Sequence, residues 1–306
     1  MGVPPIVMNE TEEKEKEFLS CIDDVYHRYR SDYRGIQILK DKRVICNDIC
    51  YKEIKIYKYI DKKFILDFEF KIESEYGGVS SLYEIEENIL LIGCYKKIYL
   101  YDIKNNKTKL LQKIEFDFLN YLYHIMELSN GLIAMHNLSD ILFYIYDTKN
   151  KKLEKKDVIK TKSYISKIFK TKDGNIISCN EKEIIVYNKN KSIQIKIKLD
   201  KLDPIFEFLE GKYIIISYNN NEIGKVYIDV YDIKKWIIIQ TLEVKYKLFQ
   251  FLKLNDNLLI ASDTLGNIHE LNLDNNYKLS VKDIFWAHES PISQICKFDD
   301  NKVLSI

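Results

Sequence analysis

A short strand-like pattern returns along almost the whole chain, and it constrains the fold more than any other feature. An apolar run begins at Val44, Ile89, Leu132, Ile176, Tyr213, Leu258 and Val303, at intervals of 45, 43, 44, 37, 45 and 45 residues. A second run ends at Tyr57, Tyr101, Tyr146, Tyr187, Tyr231 and Leu273, at intervals of 44, 45, 41, 44 and 42. Most first runs follow a turn former or a charge: Asn88, Gly131, Asn175, Lys212, Asn257 and Lys302. Two anchors advancing together with a period of about 43 residues mark a repeat architecture. In such a chain each unit is too small to bury its own apolar faces and must stack on its neighbours.

The runs read as strands. Ile98-Tyr99-Leu100-Tyr101 and Phe143-Tyr144-Ile145-Tyr146 are short, rich in aromatic and β-branched residues, and bounded by polar turns. Ile89-Leu90-Leu91-Ile92 is apolar on both faces, which suits a sheet covered on both sides. A third run precedes the first in each unit: Leu82 to Ile85, Tyr123 to Met126, Ile165 to Phe169, Ile205 to Phe208, Phe249 to Leu252 and Ile292 to Cys296. A weaker fourth follows the Tyr-Asp, as in Leu110 to Ile114, Ile193 to Ile197 and Ile237 to Leu242. Four strands per unit make the blade of a β-propeller.

Residues 35–306 resemble WD40 repeats. The period fits, at roughly 40–45 residues in that family. Tyr101-Asp102, Tyr146-Asp147 and Tyr231-Asp232 stand where the family often has Trp-Asp. Trp286-Ala287-His288-Glu289-Ser290-Pro291-Ile292 resembles its His-containing lead-in to a first strand. Ser262-Asp263 with Gly266-Asn267-Ile268 resembles its turn between second and third strands. The chain also departs from the family. No Trp-Asp occurs and most units lack the Gly-His pair, so the family's Asp–His–Ser/Thr–Trp tetrad is not expected in most blades. The resemblance implies an all-β fold, a diverged β-propeller; the repeat count makes it seven-bladed with an incomplete last blade, and the spacing read below adds a short N-terminal helix. It implies a non-enzymatic scaffold that holds other proteins in a multiprotein complex. Partners are expected on the loops leading into first strands, where Tyr76, Phe118, Asp203, Tyr246 and His288 lie. The alternatives are a phosphoinositide- or lipid-surface-binding propeller and a propeller hydrolase.

Two domains follow: an extension, 1–34, and the propeller, 35–306. Phe18, Leu19, Ile22, Val25, Tyr26 and Tyr29 fall at helical spacing behind Thr11, Glu12 and Glu13, which predicts an amphipathic helix over 10–30. Pro4 to Met8 could add one short strand. The seventh unit stops inside its second strand, at Val303-Leu304-Ser305-Ile306. Three readings compete: a truncated chain, outer strands supplied by residues 1–34, or an incomplete ring paired with another molecule. In the fifth unit 18 residues separate Tyr213 from Tyr231, and the surplus, Ser217 to Gly224, reads as a polar loop.

Chemistry is sparse. Lys+Arg 47 against Asp+Glu 46 leaves a net charge of +1, which argues against nonspecific nucleic-acid binding. Six scattered cysteines read as reduced and buried, and with no secretory h-region and no apolar run of about 18 residues a cytoplasmic location is expected. Cys46 and Cys50 lack a second ligand pair, and His269-Glu270 lacks the second His of a zinc-protease helix. No phosphate-loop or dinucleotide motif is present. No catalytic residue, metal or cofactor is predicted. Lys-rich loops follow the Tyr-Asp pairs, as at Lys104-Asn105-Asn106-Lys107 and Lys149-Asn150-Lys151-Lys152, and read as solvated turns. Arg28, Arg30 and Arg34, the arginines a lipid reader would use, precede the first blade.

Overall fold

The computed structural model describes residues 17–20, 35–47, 52–61, 63–73, 78–116, 121–129, 131–161, 163–199, 201–209, 211–220, 223–288, 292, 294–298 and 302–305. Apart from one 3-10 turn at Lys104–Asn106, its regular elements are strands. They form six four-stranded antiparallel sheets, each built from four consecutive strands in sequence order. The six blades span Gly35–Lys71, Val79–Glu115, Ile125–Lys160, Lys167–Lys198, Leu202–Val244 and Leu248–Trp286. Their second strands begin at Val44, Ile89, Leu132, Ile176, Tyr213 and Leu258, the anchors of the repeat.

The expectation of seven blades is corrected to six. The seventh repeat contributes only Ile295–Lys297 and Lys302–Ser305, and these make a three-stranded sheet with Glu17–Ser20. Glu17–Ser20 pairs in parallel with Lys302–Ser305, in the register Phe18↔Val303 and Leu19↔Leu304. The predicted N-terminal helix is therefore wrong at Glu17–Ser20, and the rest of 10–30 lies outside the described residues. A sheet edge offers backbone partners to any segment beside it, which helical apolar spacing does not register.

The chain divides into two compact units. One, Tyr33–Asn180 and Ile184–Ile197, holds nearly all of the first four blades; the other, Met1–Asp32, Glu181–Glu183 and Lys198–Ile306, holds the fifth and sixth blades and the three-stranded sheet. In the first unit the second blade shows why its strands are apolar on both faces. Leu90, Ile92, Tyr99 and Tyr101 meet Ile45, Ile54 and Ile56 of the first blade. Ile89, Leu91, Ile98 and Leu100 meet Ile133, Met135, Leu142 and Tyr144 of the third. Alternate residues of one strand thus enter different interfaces, the period-2 geometry of a pleated sheet. In the second unit the sixth blade divides likewise. Leu259, Ala261 and Leu271 face the fifth blade, while Ile260 and Ile268 face Ile292, Ile295 and Val303.

Polar groups repeat with the blades. Gln112 Nε2 donates to the Leu153 carbonyl at 3.1 Å, and its Oε1 accepts the Leu153 N–H at 2.7 Å. Gln240 makes the same two-bond clamp on Leu279, at 2.7 and 2.6 Å. The aspartate of Tyr-Asp caps the turn between third and fourth strands. Asp102 accepts the Lys104 N–H, Asp147 those of Lys149 and Asn150, and Asp232 those of Lys234 and Lys235. Its tyrosine neighbour is buried at 101, 146 and 231, and at 101 and 146 it packs between sheets. Side-chain oxygens that bind N–H groups two or three residues on stabilise tight turns, so the motif is explained as a turn cap plus an interface anchor.

The polar loop read at Ser217–Gly224 in the fifth blade is instead strand at Ser217–Asn220. Its second and third strands each run eight residues, Tyr213–Asn220 and Lys225–Asp232, and pair to their tips through Tyr218↔Tyr227 and Asn219↔Val226. Ser217–Asn220 lengthen the hairpin because their backbone groups find cross-strand partners in Lys225–Ile228. Gly93 marks the closest approach of strand and loop in the second blade. A Cβ there would lie 2.2 Å from Ser81 Oγ and 3.1 Å from Leu122 Cβ.

Candidate interaction surface

Two loop classes emerge at one end of every blade: the turn between second and third strands, and the loop into the next first strand. In the first unit these loops assemble a tyrosine ladder. Tyr95, in the turn after Cys94, lies 5.1 Å from Tyr121; Tyr121 lies 6.4 Å from Tyr123; and Tyr123 stacks on His136 at 6.0 Å. Tyr164, in the loop into the fourth blade, is 50% exposed and raises the pKa of Tyr123, an effect second to burial. Lys96 Nζ sits 5.7 Å from the Tyr95 ring centroid. Tyr95, Tyr121 and Tyr123 are half-buried, so each presents some ring surface outward.

A polar floor lies beneath the ladder. His136 is fully buried, with Nδ1 2.9 Å from the Asn137 carbonyl, and its ring meets His124 edge-on at 6.5 Å. Burial pushes both imidazoles down, His124 to about 3 and His136 to about 4, and nearby Lys167 lowers His124 further. Both are neutral at pH 7. Asn137 Oδ1 accepts the N–H groups of Ser139 and Asp140 and shapes the turn.

The residues chosen from sequence fall as follows. Tyr76 and Phe118 lie outside the described residues. Asp203 lies on the first strand of the fifth blade, Leu202–Leu209. Tyr246 is half-buried in the loop after Val244, edge-on to His269 at 6.3 Å, with Lys245 Nζ 4.9 Å from its ring centroid. His288 Nε2 lies 2.8 Å from Ser305 Oγ, its N–H donates to the Gly266 carbonyl, and burial lowers its pKa. Tyr246 and His288 sit on successive loops of one unit. Tyr121, Tyr123 and Tyr164 belong to the same loop class, and nothing in the sequence pattern singles them out from other loop tyrosines.

Other polar clusters are internal. His269 Nε2 lies 2.7 Å from Asp263 Oδ2, both side chains being buried. Burial opposes ionisation of Asp263, yet His269, Asn267 and the Leu265 N–H outweigh it and hold its pKa below the usual value. In the fifth blade Lys201 Nζ pairs with buried Asp229 at 2.9 Å and lies 3.8 Å from the Tyr218 ring centroid, while Thr241 Oγ1 donates to Asp229 Oδ1 at 2.6 Å. At the opposite loop end, the first two blades enclose an open cavity of about 790 Å³. There Arg43 binds Asp41, Asp67 and Asn88. Burial raises the Asp67 pKa, but bonds from Lys58, Asn106 and Arg43 more than offset it and hold it below the usual value. Among the described residues no cluster of three His, Cys, Asp or Glu side chains could hold a metal ion, and no helix is long and apolar enough to cross a membrane.

With six four-stranded blades in place, the fold is that of a β-propeller, similar to solved WD40 domains. The WD40 domain of Toxoplasma gondii coronin matches with a TM-score of 0.64 at 9% identity, over 88% of this chain and 77% of that one. Sqt1 of Saccharomyces cerevisiae matches with a TM-score of 0.64 at 10% identity, over 92% and 91%. The computationally designed Ika8 protein matches with a TM-score of 0.63 at 12% identity, over 90% and 83%. No family model matches the sequence, and no curated protein matches it.

Proposed function

We propose that this chain is a non-enzymatic scaffold that binds other proteins through the loops leading into first strands. The observation that carries the reading is the ladder Tyr95–Tyr121–Tyr123, extended by exposed Tyr164 and based on buried, neutral His136. Half-buried tyrosines held by rigid neighbours bring contact area at low entropic cost, the usual composition of an interface anchor. Tyr246 and His288 extend the same loop class in the second unit. A lipid-surface role would draw on the Lys-rich turns after the third strands, but Lys151 pairs with Asp102 and Lys191 with Asp157, which lowers the charge they offer. The test is affinity purification from source cells with the parent and a Tyr95→Ala/Tyr121→Ala/Tyr164→Ala variant of unchanged circular dichroism. A reproducible protein set retained by the parent and lost from the variant is expected. Turnover in a hydrolase panel, or identical sets on both baits, would overturn the reading.

A further inference from the structure

The turns between third and fourth strands each hold a position at positive φ, where a side chain crowds the backbone and glycine or asparagine fits best. Asp61 holds it in the first blade, Asn105 and Asn106 in the second, Lys151 in the third and Lys191 in the fourth, all of them polar. In the fifth and sixth blades it is Trp236, at φ 57, and Tyr277, at φ 60. A bulky residue held in this region is a strained outlier of the kind that points to function. Tyr277 has a role inside the fold: its ring stacks on Tyr213 at 4.1 Å, and Lys212 Nζ lies 5.9 Å from its centroid. Trp236 has no such support. Its backbone N–H closes the turn on the Asp232 carbonyl at 2.7 Å, but among the described residues its indole has neither a ring partner nor a hydrogen bond. The residue is half-buried, and Ile237 and Ile238 beside it are 49% and 45% exposed. Lys234 and Lys235 precede it, both exposed, and among the described residues neither ammonium is paired. The acid of this turn, Asp232, accepts the backbone N–H groups of those two lysines. The lysines that do pair with acids, Lys151 and Lys191, belong to the third and fourth blades.

We propose that the turn Lys234-Lys235-Trp236-Ile237-Ile238 docks on an anionic lipid bilayer. Both halves of the motif find a partner there. An indole settles at the headgroup level with its N–H towards water, and isoleucines add apolar area beneath the headgroups. Two unpaired ammoniums meet the negative charge of the lipid surface. Other partners match only one half. The buried centre of a protein interface is depleted of lysine, and a nucleic-acid backbone would leave the isoleucines in water. The proposal goes beyond the scaffold reading and uses a different loop class. The tyrosine variant above should therefore bind vesicles as the parent does, and either reading can fail without the other.

The probe is a vesicle of three parts phosphatidylcholine to one part phosphatidylserine, with phosphatidylcholine alone as control, in a flotation assay on the full chain. Binding to the charged vesicles, and far less to the neutral ones, is expected. Lys234→Ala/Lys235→Ala should weaken it about thirtyfold, the factor that two lysines carry at an anionic surface. Trp236→Asn installs the residue that Asn106 supplies in the second blade, which keeps the turn, and should weaken binding about tenfold. The chain has two tryptophans, so Trp286→Phe leaves Trp236 as the sole indole emitter, and its fluorescence should shift to the blue on charged vesicles. No binding to charged vesicles, equal binding to neutral ones, full binding by either variant, or an unshifted Trp236 emission would overturn the proposal.

Discussion

Acidification should loosen the interface around His124 and His136. His136 is fully buried, and His124 Nδ1 is out of contact with water. Their folded pKa values, about 4 and about 3, lie well below the ordinary histidine value of 6.5. The folded state therefore binds fewer protons than the unfolded chain whenever the pH lies between those values. Stability must then fall as pH drops through 6.5 towards 4, because unfolding releases imidazoles that take up protons. At pH 5 each site favours the unfolded state by about 2 kcal/mol relative to pH 7.5, so the pair contributes about 4 kcal/mol. The groups facing the pair are Lys167, whose charge disfavours protonation of His124, the Ile168 backbone, whose bond to His124 favours it without offsetting burial, and Tyr123 and Asn137, which are uncharged at these pH values. His288, also lowered by burial, adds in the same direction. The assay is urea denaturation at pH 7.5 and pH 5 of the parent and of His124→Phe/His136→Phe. The parent should lose several kcal/mol and the variant markedly less. Equal losses in the two proteins, or a parent that loses under about 1 kcal/mol, would refute the argument.

The remaining predictions concern particular contacts. Lys201→Met strands the Asp229 carboxylate in the fifth blade and should cost about 3–5 kcal/mol, much of it recovered when Asp229→Asn is added, as read by a double-mutant cycle in urea. Gly93→Ala drives a methyl into Ser81 Oγ and forces that hydroxyl off the Leu122 carbonyl, with a loss of about 1–3 kcal/mol in the same denaturation assay. Gln240→Ala leaves the Leu279 N–H and carbonyl without their clamp; faster amide exchange at Leu279 and a cost of about 1–3 kcal/mol are expected, and unchanged exchange would count against the clamp.

The repeat register was legible because the second strand is apolar on both faces, a demand that only stacked sheets make. Val44, Ile89, Leu132, Ile176, Tyr213 and Leu258 each open a second strand in the folded chain. The Tyr-Asp pair was legible as a marker but not as a device: its capping role depends on backbone N–H groups that periodicity does not reveal. The tyrosine ladder was less legible still. Tyr95 and Tyr121 are 26 residues apart, and only the close approach of strand and loop at Gly93 brings that turn and that loop together.

By itself the chain's pattern of apolar runs and turns determined the strand order, the period and the β-propeller class, because alternation and turn chemistry act over a few residues. What lies beside the last strand was decided only by tertiary structure. The partner of Lys302–Ser305 is Glu17–Ser20, nearly 300 residues away, and a four-residue strand has no local signature strong enough to outweigh helical spacing. Which polar side chains end buried, such as His136 and Asp229, was likewise settled by neighbouring blades, because desolvation depends on what packs over a side chain rather than on its neighbours in sequence.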